Sequence, residues 1–202
     1  MLKIFLIRHG ETEHNRDKIV SGISDSMLTE TGKLQSKKLA GYFANEKIDT
    51  VYASPLSRAI ETAREITTKK SLQVNCDERL REINFGEWEG KSWDFVHKTV
   101  SNWKEIRHEY RSPNGETQQE VSERVLAFLG EIKKKHKEGS IVIVGHGSVN
   151  KAFLGILLKI SLKERYSIGQ SNACINLIGI SNNKVEVYKI NDTSHLETNN
   201  GL

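Results

Sequence analysis

The strongest apolar run in the chain, Ile141-Val142-Ile143-Val144, consists only of β-branched residues and stops at Gly145-His146-Gly147. A short, continuous run of this kind predicts a strand buried on both faces. Lys3 to Ile7 has the same character and ends at Arg8-His9-Gly10, and Ile48 to Ala53 predicts a third strand. A short strand around Leu72 to Asn75 and a final pair, Ala173 to Ile180 and Lys184 to Ile190, complete the set. Asn182-Asn183 suits a tight hairpin turn between the last two. Between the strands the apolar period lengthens to that of a helix. Thr29 is the expected N-cap of a helix over 30–45, with Leu34, Leu39, Tyr42 and Phe43 on its apolar face. Ser54 as N-cap and Pro55 in the first turn predict a helix running to about Lys69. Trp93, Phe95, Val96, Val100, Trp103 and Ile106 recur at helical spacing before Pro113-Asn114-Gly115 breaks the chain. Thr117 to Glu120 has the form of a capping box, and Val121, Val125, Phe128, Leu129 and Ile132 mark one face of the helix it opens. That helix is expected to end in a lysine-rich last turn and at Gly139; another follows over 148–158. Strands alternating with helices, then a terminal hairpin, predict an α/β fold around a largely parallel sheet.

The chain has 202 residues, the size of about one domain. Hydrophobic residues at 37% and charged residues at 28% are those of an ordinary globular protein. The net charge of +4 is small and spread along the chain, which argues against a nucleic-acid partner. Cys76 and Cys174 stand alone, so neither a disulfide framework nor a cysteine metal site is expected. With no signal peptide and no run long enough to span a membrane, a cytoplasmic location with reduced thiols is expected. No repeat or linker interrupts the chain, and 198–202 reads as a frayed tail.

The chemistry gathers where strands end. Ligands of open α/β sheets bind outside the carboxyl ends of the strands, so a parallel sheet would bring His9 and His146 to one edge. The strand ending at Ala53 delivers Arg58 to the same edge. Two histidines and two arginines converging on one crevice predict an anionic occupant. Arginine forks match phosphate oxygens, and imidazole can act as nucleophile as well as base. A histidine attacking phosphorus needs cations around the transferring group. Arg8, Arg58 and a protonated His146 would supply them without a metal.

These residues sit in segments that together resemble a known family. Leu6-Ile7-Arg8-His9-Gly10-Glu11-Thr12, with Asn15 beyond, is similar to the signature of the histidine phosphatase (phosphoglycerate mutase-like) superfamily. Ser21-Gly22, Leu28 to Gly32, Ser54 to Ala59, Leu80 to Gly90 and Gly145-His146-Gly147 continue the resemblance in family order, over about 1–190. It implies a three-layer sandwich in a single domain over 1–202, with a mostly parallel central sheet, helices on both faces and a helical substrate-capping insert around 92–112. It also implies that His9 attacks phosphorus, that Arg8, Arg58 and His146 hold the phosphoryl oxygens, and that Glu82 is the proton donor. Asn15, Ser21, Gly22 and the Gly147 backbone are implied as further substrate contacts, with no metal and no cofactor.

A phosphatase is favoured over a cofactor-dependent phosphoglycerate mutase, because the Arg-Arg pair expected of a mutase is missing beyond Glu82. The nearest phosphatase branch is the small bacterial one, with phosphoserine, α-ribazole phosphate or broad-specificity enzymes; fructose 2,6-bisphosphatase activity also stays open. A non-catalytic phosphate-ester-binding relative would be expected to lack one of Arg8, His9, Arg58, Glu82 or His146, and all are present. No GxGxxG follows the first strand, which excludes dinucleotide binding. The expected partner is a small phosphorylated metabolite, with neither nucleic acid nor membrane. A homodimer enters only as the default of symmetric association. Among the remaining residues, Trp88, Trp93 and Trp103 are expected as core or crevice walls, with Trp88 foremost at the pocket. Glu87 and Glu89 are expected as solvated surface or loop structure, Glu11 and Glu13 as exposed or positioning His9, and His14, His97, His108 and His136 at the surface. His195 either reaches the substrate's far end or packs at the C-terminus.

Overall fold

The apolar runs become strands β1 (Leu2–Arg8), β2 (Thr50–Ala53), β3 (Val74–Cys76), β4 (Gly139–Gly145), β5 (Ile175–Ser181) and β6 (Lys184–Asp192). In this computed structural model, which describes residues 1–68, 70–182 and 184–197, they form one sheet of order β3-β2-β4-β1-β5-β6. β3, β2, β4 and β1 run parallel, while β5 is antiparallel to both β1 and β6. The helices are α1 (Glu13–Arg16), α2 (Glu30–Phe43), α3 (Ser57–Thr67), α4 (Trp93–Thr99), α5 (Trp103–Ile106), α6 (Gln118–Lys135), α7 (Gly147–Leu158) and α8 (Ser194–Glu197).

Alternation along β1 divides the core. Leu2, Ile4 and Leu6 join Ile141 and Ile143 beneath α6 and α7, and Phe5 and Ile7 join Val142 and Val144 beneath α2 and α3. The predicted face of α6 is wholly buried, and its capping box forms between Thr117 and Glu120. A third cluster of Val20, Trp88, Val96, Val100 and Trp103 lies apart from the sheet and holds α4 and α5 over its edge. Among the described residues no helix is long and apolar enough to cross a membrane, and both cysteines are free.

Three local expectations are corrected. α3 begins at Ser57 and not at Ser54-Pro55, because Asp25, distant in sequence, accepts from the Ser57 N–H and hydroxyl at 3.2 and 2.7 Å. Leu34 is exposed: the buried stripe of α2 runs through Gly32, Ser36, Leu39 and Phe43, and Leu34 stands about 200° from Ser36 around the axis. α6 is capped at His136, and Gly139, at φ +99°, opens β4 instead of closing the helix. The 92–111 segment is two short helices, and α8 was not foreseen. The expected turn residue Asn183, the helix end at Lys69 and the 198–202 tail lie outside the described residues.

Candidate active site

β1 and β4 are parallel neighbours in register, Arg8 beside Gly145, so the residues that follow them meet. The His9 N–H donates to the Gly145 carbonyl at 3.1 Å, and the rings of His9 and His146 lie 5.0 Å apart, centre to centre. Arg58, in the first turn of α3, is 1% exposed and reaches the same point. Its Nη groups donate to the carbonyls of Gly22 and Ser24 at 2.6 and 2.9 Å, and its Nε donates to His146 Nδ1 at 3.3 Å. Glu82 arrives on the loop after β3. Its carboxylate accepts from the Ser148 N–H at the start of α7 (3.1 and 3.2 Å), where the helix dipole favours an anion, and from the Ile83 N–H.

Hydrogen bonding sets the state of both rings. A carbonyl only accepts, so the 2.7 Å contact between His9 Nδ1 and the Gly10 oxygen puts the proton on Nδ1 and leaves the Nε2 lone pair free. An arginine Nε only donates, so His146 Nδ1 is bare and the ring's proton sits on Nε2. Burial, then Arg58 and other nearby charges, hold both imidazoles well below 6.5. The expected protonated His146 is therefore corrected: it is a neutral N–H donor, because Arg58 occupies its other nitrogen. The unfolded imidazoles take up protons near 6.5 and the folded ones only at lower pH, so stability falls as pH drops below 6.5. In an NMR titration both rings are expected to stay neutral at pH 6.5, where an exposed histidine is half protonated.

Beside these groups opens a cavity of about 400 Å³ whose lining includes Arg8, Asn15, Ser21, Glu82, Gly147 and Ser148. His9, Arg58, His146 and Gly22 do not line it: His9 and His146 adjoin Arg8 and Gly147 in the chain, and Arg58 links His146 to the Gly22 carbonyl. Arg8 Nε and His146 Nε2 are buried donors with no hydrogen-bond partner among the described residues. A Cβ on Gly147 would stand 3.6 Å from Glu82 Oε2 and 4.0 Å from Arg8 Nε, so glycine keeps open the space between acid and cation. Asn15 Oδ1 accepts from the Thr12 N–H and from Asn172, which leaves its amide N–H₂ to the cavity. Gly22 packs so closely on the Ile83 carbonyl that a side chain has no room.

Several positions differ from expectation. Trp93 and Trp103 line the cavity as two of the expected walls, but Trp88, expected foremost there, is buried against Trp103 and stacked on Tyr110. His97 lines it too, from α4. His136 accepts or donates at the Tyr52 hydroxyl, 2.9 Å away. His195 packs on Tyr42 of α2, away from the cavity, and burial lowers its pKa to about 4. Glu89 takes the loop-structure role of its two expected ones: it accepts from the N–H groups of Ile23, Ser24 and Phe85, tying the loop that holds Arg58 to the loop that carries Glu82. Glu89→Ala strands those donors and is expected to lower stability by about 1–3 kcal/mol in urea unfolding. Among the described residues no three His, Cys, Asp or Glu side chains form a set that could hold a metal.

Comparison with known proteins agrees with this geometry. Residues 4–193 match the model of the histidine phosphatase superfamily (branch 1). Phosphoserine phosphatase 1 of Hydrogenobacter thermophilus is 34% identical over 200 residues, covering 97% of this chain and 95% of that protein. Among solved structures, Bacillus stearothermophilus YhfR superposes with a TM-score of 0.89 at 29% identity, over 98% of this chain and 100% of the other. A phosphoserine phosphatase from Entamoeba histolytica, solved with 3-phosphoglyceric acid, gives 0.87 at 29% identity, over 97% and 100%. On the family match and these relatives, the chain belongs to the histidine phosphatase superfamily.

Proposed function

We propose that this histidine phosphatase hydrolyses monoesters of small phosphorylated metabolites through a phosphohistidine on His9, without a metal. The observation that carries the reading is the convergence of a free His9 Nε2 lone pair with the unpartnered donors Arg8 Nε and His146 Nε2. His9 Nε2 forms the bond to phosphorus as the ester P–O bond breaks, and a protonated Glu82 gives its proton to the leaving oxygen. Arg8 and the His146 N–H donate to the non-bridging oxygens, and Arg58 orients His146 while adding its charge. Asn15, Ser21 and the Gly147 backbone complete the phosphate's surroundings, with Gly22 holding Arg58 in place. Glu82, now a carboxylate, takes a proton from water; the water oxygen bonds to phosphorus and the N–P electron pair returns to Nε2. The names of the relatives support small phosphorylated acids as substrates. The two free thiols support a reducing compartment, the cytoplasm.

The reading predicts phosphate release from a panel of phosphomonoesters in EDTA at the same rate as without chelator. No release from any ester, or release only with added metal, would overturn it. A mutase would instead return phosphohistidine to a bound phosphoglycerate, which an isomerisation assay with 2,3-bisphosphoglycerate detects.

A further inference from the structure

The cavity also carries cations that the proposed phosphate chemistry does not use. Arg107, at the end of α5, and Lys151, on α7, both line it and share one ring: the Arg107 guanidinium carbon is 4.1 Å and Lys151 Nζ is 5.3 Å from the centre of Tyr166. Arg107 Nε is buried with no hydrogen-bond partner, and neither cation has an ion pair among the described residues. The carboxylates that line the cavity are already engaged: Glu116 is held by Arg124 at 2.8 and 3.1 Å, and Glu82 by Ser148. Arg165, also in the lining, donates only to a hydroxyl and a carbonyl. Burial, then the neighbouring Arg107, lower the Lys151 pKa, with the Glu82 carboxylate acting the other way.

We propose that Arg107 and Lys151, braced by Tyr166, form a second anion subsite that takes the carboxylate of a short phosphorylated acid and so selects the substrate. Sequence spacing sets the length of that acid. Lys151 lies three positions beyond Ser148 on α7, hence on the same face and about 5–6 Å away between Cβ atoms. Ser148 holds Glu82, which marks the leaving oxygen, so about two or three carbons span the gap from ester oxygen to carboxylate. The aromatic wall of Trp93, Trp103 and Tyr110 limits a longer tail.

The proposal rests on the hydrolase reading, and the test separates the two. 3-Phosphoglycerate and glycerol 1-phosphate differ only in a carboxylate replaced by a hydroxymethyl group. Wild type is expected to prefer the first in kcat/KM, and Lys151→Met, which keeps the apolar stem, is expected to shrink that preference about 10–100-fold, mainly through KM. Lys151→Arg should restore most of it. A loss that is equal for both esters would make the cations a clamp on Tyr166 and overturn the subsite, as would a wild type with no preference. p-Nitrophenyl phosphate reports on hydrolysis itself. If it is not turned over, the hydrolase reading fails, while calorimetric binding of the two esters to His9→Ala, with and without Lys151→Met, still decides the subsite.

Discussion

His9→Ala is expected to lower phosphate release from every ester by about 10⁴-fold or more while leaving the fold and the binding of the phosphate largely intact. The reason is a division of labour in the site. Arg8 Nε and His146 Nε2–H, the donors proposed for the phosphoryl oxygens, do not depend on the His9 ring for their positions: Arg8 is tied to the Gln170 carbonyl at 2.6 Å, and His146 is held by Arg58. Removing His9 takes away the lone pair that accepts phosphorus and leaves those donors in place, so kcat should collapse while affinity for a phosphate ester changes little. Rate assays beside calorimetry check both halves. A variant that retains more than about one hundredth of the activity would mean that water, not His9, attacks phosphorus.

Glu82→Gln is expected to separate substrates by the quality of their leaving group. An alkoxide needs a proton as it departs, so kcat for alkyl phosphates should fall by about 10²–10⁴-fold. Nitrophenolate leaves unaided, so the first step with p-nitrophenyl phosphate should stay fast. The second step still requires Glu82 to take a proton from water. The variant should therefore release a burst of nitrophenol equal to the enzyme present and then slow, with phosphohistidine accumulating. Stopped-flow absorbance reads the burst directly; equal loss for both ester types, with no burst, would assign Glu82 to positioning alone. The glutamine keeps an oxygen to accept from the Ser148 N–H, which limits any structural disturbance.

What the chain discloses before folding follows from how local each feature is. The buried strands were legible because β1 and β4 are continuous apolar runs, and the capping box of α6 because Thr117 and Glu120 are three residues apart. The start of α3 was not, since its cap comes from Asp25 on another loop. Likewise His9 and His146 were visible as paired strand ends, whereas the neutral state of His146 depends on Arg58, 88 positions away. For Glu89 the chain left surface and loop structure equally open, because its partners, the N–H groups of Ile23 and Ser24, lie more than 60 positions away. Arg107, Lys151 and Tyr166 come from three separate elements, and no periodicity links them; only the folded chain brings the two cations to the one ring.

The central claim is that the phosphoryl group passes through His9. The most direct test mixes the Glu82→Gln enzyme with p-nitrophenyl phosphate labelled at phosphorus, quenches within milliseconds in alkaline denaturant, and maps the labelled peptide. A base-stable, acid-labile label on the peptide carrying His9, at up to one per chain, is the predicted result. Label on any other residue, or turnover with no labelled protein at any time, would contradict the account.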